Sequence, residues 1–199
     1  MSSFSAWNMP WFIIYISLFW LADVRSEKQA NLYVDTALDI ILPRSIGAVN
    51  KASAPLPGFS VSGNPGIVTG QAFAFKRTKE CAQSQWGDGN TISMACNLTI
   101  GNLKVEYDCR NKTQVVLVKI NTTIPLHFTE KPGFKATVHA QMPSVQDFVV
   151  INKKTNTGPC WNDTVAVSAR NATFNFFTDE LWPVVVGAFR EIYLPYPGI

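Results

Sequence analysis

Charge is scarce in this chain. Only 16% of its 199 residues are Asp, Glu, Lys or Arg, and the formal net charge is +3. So weak a field excludes the basic surface that nucleic-acid backbones require. The densest cluster, KRTKE at 76–80, reads as a solvated strand end. Histidine is almost absent, with His127 and His139 alone. The signatures G-x-S-x-G, H-E-x-x-H and G-x-G-x-x-G are missing altogether. The two can approach each other across a 124–140 hairpin, but imidazoles with no acid or thiol beside them make neither a triad nor a convincing zinc site, so both read as surface residues. Gly63-Asn64-Pro65-Gly66 reads as a turn, not a phosphate loop. The expectation is a chain that is not an enzyme and takes no cofactor or metal. No repeat or low-complexity tract stands out, and no C-x-x-C pair occurs.

What is present points to export. The apolar run Met9–Ala22 is about fourteen residues long, too short to cross a bilayer comfortably and placed where a secretory signal has its apolar core. No later run is long enough to span, so no transmembrane segment is expected once the leader is removed. Five N-x-Ser/Thr sequons follow, at Asn97, Asn111, Asn121, Asn162 and Asn171. Four cysteines, Cys81, Cys96, Cys109 and Cys160, lie beyond the leader. An even number without close pairs reads as two disulfides. The organisation expected is a signal peptide over 1–22 and one domain over 23–199, secreted and extracellular, with a core of useful size.

The stretch NLYVDTALDIILPR, 31–44, has helical spacing, with Val34, Leu38, Ile41 and Ile46 on one side and Asp35, Asp39 and Arg44 off it. SAPLPGFSVSGNPG, 53–66, reads as a linker. Alternating strands then run over 92–100, 103–109, 115–120, 124–128, 134–140, 147–151 and 165–169. Gly101-Asn102 is expected to close a hairpin pairing Ile100 with Leu103, Leu98 with Val105 and Cys96 with Tyr107. The hairpin at GDGN, 87–90, folded about Asp88-Gly89, sets Cys81 opposite Cys96; by elimination Cys109 bonds Cys160. Asn97, Asn121 and Asn162 fall in the outward phase of their strands and Asn111 in a turn, as glycans in water require. A closing helix is expected from an N-cap at Thr178 or Asp179, with Pro183 in its first turn and a stripe of Leu181, Val185, Phe189 and Ile192.

The order helix, PLPGF-like linker, strand opening at Gly70, GDGN turn, meander, SVQDFVV and closing helix resembles the group-seven mite allergens. These belong to the tubular lipid-binding superfamily of the bactericidal permeability-increasing proteins and the insect juvenile-hormone carriers. The most specific stretches are Gly87-Asp88-Gly89-Asn90 and Gln146-Asp147-Phe148-Val149-Val150, and the likeness covers most of the chain beyond the leader. It implies an α+β fold, a long curved antiparallel sheet wrapped around an N-terminal and a C-terminal helix, with an apolar cavity for lipid or another hydrophobic small molecule. The four cysteines and the early stop of the last helix at LPYPGI depart from that pattern. The inward residues Phe73, Phe75, Leu98, Val105, Val138, Phe148, Phe176 and Phe189, facing Val34, Leu38 and Ile41, are the expected apolar lining. The alternative is a glycoprotein acting through its outer surface, as an interaction partner or inhibitor, around a solid core.

Overall fold

The computed structural model describes residues 27–49, 53–71, 74–86, 91–110, 112–131, 133–151 and 160–194. The apolar leader, the GDGN turn, Phe73 and Asn111 lie outside them. The fold is α+β: two long helices and ten antiparallel strands among the described residues. The large antiparallel sheet is present, its hydrogen bonding divided into two five-stranded parts. The strands are β1 (Ser53–Val61), β2 (Asn64–Thr69), β3 (Phe75–Arg77), β4 (Ala82–Trp86), β5 (Thr91–Ile100), β6 (Leu103–Cys109), β7 (Lys112–Ile120), β8 (Thr123–Glu130), β9 (Thr137–Ala140) and β10 (Phe148–Ile151). One part has the order β1-β2-β6-β7-β10; the other has β3-β5-β8-β9, with β4 also on β5.

Alternation makes these strands. Along β5 every second residue from Ile92 to Ile100 is buried, and β6 and β8 keep the same period, as a sheet with one apolar and one wet face demands. The register Ala82↔Ala95 and Gln83↔Met94 is the symmetric one read from the sequence. It brings Cys81 to Cys96 with a Cα–Cα distance of 4.6 Å, and Cys109 bonds Cys160 at 5.9 Å.

The expected hairpin at Gly101-Asn102 does not form. Gly101 N–H donates to the Ala74 carbonyl at 2.6 Å, which extends the β3–β5 pairing. Leu98 then faces Ile124 of β8, while Val105 faces Val68 and Val116. The chain therefore crosses from one five-stranded part to the other at this point. The stretch 53–66 is likewise no linker. It forms β1 and the start of β2, joined at Ser62 and Gly63, which have φ of 53° and 82°. Two successive positive φ values suit a two-residue turn matched to strand twist. Pro55 and Pro57 are tolerated because β1 is an edge strand, and Pro65 precedes Ile67, where β2 begins to pair with β6.

The N-terminal helix runs over 27–48 and contains a π segment, Ala37–Ile41, followed by Leu42–Ala48. The C-terminal helix begins earlier than expected. Asn162 is its N-cap, accepting from the Val165 N–H at 2.9 Å, and it continues as Asp163–Asn175, the π segment Phe176–Leu181 and Trp182–Arg190. Residues 165–169 are thus helical; Val165, Val167 and Ala169 alternate like a strand, yet Ala169 is the one drawn into the core beside Ala172 and Thr173. Thr178 and Asp179 lie inside the π segment and cap nothing.

The two helices share one construction. Leu42 N–H donates five residues back to the Ala37 carbonyl, and Trp182 N–H to the Phe177 carbonyl. Each π segment is followed by a proline, Pro43 and Pro183, and the spacing Asp-x-x-x-Pro-x-x-x-Gly-Ala recurs at Asp39–Ala48 and Asp179–Ala188. A proline lacks the N–H of an ordinary turn and crowds the carbonyl four residues before it; a local i→i−5 turn relaxes that crowding.

Small residues set the closest approach within the first strands. A Cβ on Gly66 would lie 2.2 Å from Cδ1 and 2.6 Å from Cε1 of the Phe59 ring. That ring is buried and packs edge-on against Tyr107, with centroids 6.0 Å apart, so it has no free direction in which to move. Gly66→Ala is expected to lower stability by roughly 1–3 kcal/mol through overpacking. Chemical denaturation of the variant and the parent protein measures this.

Candidate functional site

Of the residues nominated from the sequence, Val34, Leu38, Phe75, Leu98, Val105, Phe148, Phe176 and Phe189 are buried in one core, with Ile41 and Val138 half-buried against it. Both helices and both five-stranded parts therefore contribute to a single apolar interior. Rings hold it together. Tyr33 stacks on Phe189 at 6.3 Å, both meet Phe128 of β8, and the Tyr33 hydroxyl donates to the Phe189 carbonyl. Phe177 bridges the two parts, touching Phe75 of β3 at 6.2 Å and Phe148 of β10 at 5.6 Å. Outside the core, Arg77 grips the N-terminal helix through a bidentate pair with Asp35, at 3.0 and 2.9 Å. The KRTKE cluster is thus partly a tether, not only a wet strand end.

A groove of about 200 Å³ opens on the outside between β10 and the start of the C-terminal helix, lined by Gln146, Phe148, Val149, Val150, Ala166, Val167 and Arg170. The turn leading into β10 is fixed by Ser144, whose N–H and hydroxyl both donate to the Asp147 carboxylate, at 2.7 and 2.8 Å. Val149 and Val167 remain exposed. Arg170 donates to Asn171 at 3.5 Å and forms no ion pair among the described residues. The groove is of mixed character, with the apolar side chains of Val149, Val150 and Val167 beside the polar Gln146 and the cation of Arg170. Its floor, Phe148, packs edge-on against both Phe174 and Phe177. Phe148 thus both lines the groove and packs into the interior. Val167 and Arg170 escaped the sequence reading because 165–169 was assigned to a strand, whereas Val149 lies in the strand expected over 147–151 on its outward face.

Glu130 also escaped it. This residue ends β8 in phase with Ile124, Leu126 and Phe128, so alternation alone aims it inward, and it is only 2% exposed. One carboxylate oxygen accepts from the Leu194 N–H at 2.8 Å; the other has no partner among the described residues. Burial raises the Glu130 pKa above the ordinary glutamate range, against the opposing pull of the Leu194 hydrogen bond. Burial, and then the Glu130 charge, also push the Tyr33 hydroxyl up, so Tyr33 stays a neutral donor.

The positions of the described sequons are compatible with glycosylation. Asn121, Asn162 and Asn171 are exposed and Asn97 is on the outer face of β5. Asn171 sits on the exposed side of the C-terminal helix. The Asn162 cap uses its side-chain oxygen, whereas a glycan attaches through the nitrogen, so capping and glycosylation are compatible. No helix among the described residues is long and apolar enough to cross a membrane. No protein-family model matches this chain, and no curated protein matches it either.

A carboxyl whose folded-state pKa is raised binds its proton more tightly folded than unfolded. Stability then falls as pH rises from the ordinary glutamate range through the raised value, and is flat above it. Glu130→Gln removes this dependence while keeping an acceptor for Leu194. Thermal midpoints measured from pH 4 to pH 8 should decline more steeply for the parent protein, with the variant the more stable at pH 8.

Proposed function

We propose that the chain is an exported, disulfide-stapled glycoprotein that binds lipid or another hydrophobic small molecule non-covalently, in the apolar space between a tubular lipid-binding-like sheet and its two helices. The observation that carries this reading is the position of Phe148, which both floors the groove and packs into the interior. An amphiphile lying along Val149 and Val167, its anionic head at Arg170, would have a continuous apolar path inward once the Phe148 ring rotates aside. The groove alone is smaller than most ligand pockets, which run from about 300 Å³ upward, so the reading needs that movement. Two disulfides and outward sequons fit an extracellular carrier.

A second reading has its own support. The nominated lining residues pack on one another, as a solid core does, which favours a glycoprotein working through its outer surface as a partner or inhibitor. The two readings differ in a titration with a fluorescent fatty acid. On the carrier reading, Val149→Asp and Val167→Asp each weaken probe binding by about tenfold or more, while stability changes by about 0.5 kcal/mol or less because both sites are exposed. Arg170→Ala weakens a fatty-acid probe more than a fatty-alcohol probe. Background binding by the parent protein favours the surface reading.

A further inference from the structure

The chain's only two histidines are direct cross-strand partners. β8 and β9 pair antiparallel with His127 opposite His139, between Leu126↔Ala140 and Phe128↔Val138. Gln141 N–H donates to the Pro125 carbonyl at 3.2 Å, and hydrogen-bonded pairs recur every second position in an antiparallel ladder. The His127–His139 pair therefore belongs to the hydrogen-bonded set, with Cα atoms about 5.5 Å apart and both side chains on the exposed face. From such a pair two imidazoles can turn one nitrogen each toward a common point. Metal–nitrogen bonds of about 2.0–2.1 Å fit that span.

The surroundings suit a cation. On the same face the neighbouring row positions are Thr129 and Thr137 on one side and Pro125 beside Gln141 on the other, and Ala95 lies next to His127 in β5. None of these carries positive charge to repel an ion, and Ala95 leaves room for it. β9 is the outermost strand of its part, so the far side of His139 is open to water. Among the described residues no group of three or more His, Cys, Asp or Glu gathers in one place, and the pair would supply two ligands with water completing the shell.

We propose that His127 and His139 form a bidentate surface site for an imidazole-preferring divalent transition-metal ion, Cu²⁺ bound more tightly than Zn²⁺. The preference follows from the general order of divalent affinities at nitrogen ligands. The site lies on the outer face of the sheet and is independent of ligand binding in the interior.

Calorimetric titration of the secreted, leader-free protein with Cu²⁺ and separately with Zn²⁺ tests this, with His127→Asn and His139→Asn as variants. Both positions are exposed, so unchanged thermal midpoints confirm that the variants fold. One ion per chain is expected, with each substitution weakening Cu²⁺ binding tenfold or more and the double variant losing little beyond that. Binding that either substitution leaves unchanged, or binding absent from the parent protein at millimolar Cu²⁺, overturns the proposal.

Discussion

Both long helices must press an apolar stripe onto one interior, and in each the buried residues recur at every fourth position. Ala30, Val34, Leu38, Leu42 and Ile46 form the first series; Ala169, Thr173, Phe177, Leu181, Val185 and Phe189 form the second. A regular α-helix turns about 100° per residue, so a four-residue repeat drifts by about 40° at each step. Over four steps the stripe would swing by about 160° and leave the core. The π segment in the middle of each helix takes up an extra residue in its turn and brings the stripe back. The rings depend on this. Phe177, at the π segment, could not otherwise face Phe75 and Phe148 from the same helix that delivers Phe189 to Tyr33 and Phe128.

The proline after each π segment is part of the same arrangement. Pro43 and Pro183 would break or kink an unbroken α-helix, and the sequence reading accordingly placed Pro183 in the first turn of a helix. Their positions in the structure give both the same role. They stand where the backbone has already left the i→i−4 pattern, so the lost donor coincides with a turn that has been rewired.

Much of the fold was legible because alternation is a strong signal where one face is wet. β5, β6 and β8 and the register that joins Cys81 to Cys96 follow from it. What was not legible has particular causes. Val165, Val167 and Ala169 alternate, yet the segment is helical because Asn162 caps it and Ala169, Ala172 and Thr173 fit the core at helical spacing. The proline-rich stretch 53–66 forms strands because an edge strand does not need every N–H. The Gly101-Asn102 turn has hairpin chemistry, but the carbonyl of Ala74 claims the Gly101 N–H, and partner choice between strands distant in sequence is not encoded in local pattern. The burial of the nominated interior residues was legible for the same reason as the strands; the groove was missed with the helix that forms half of it, and Glu130 because the strand was ended at Phe128, two residues short.

The functional account rests on the interior accepting something other than its own side chains. Glu130, Gln71, Thr173 and the neutral Tyr33 are among its buried polar groups, Phe148 lines the groove and packs into the interior, and the helix stripes supply much of the wall. The most direct test is solvent extraction of the natively secreted protein followed by mass spectrometry. The account predicts a co-purifying molecule with an acyl chain or comparable apolar body, in near-stoichiometric amount. Repeated recovery of the protein with no such molecule would contradict it.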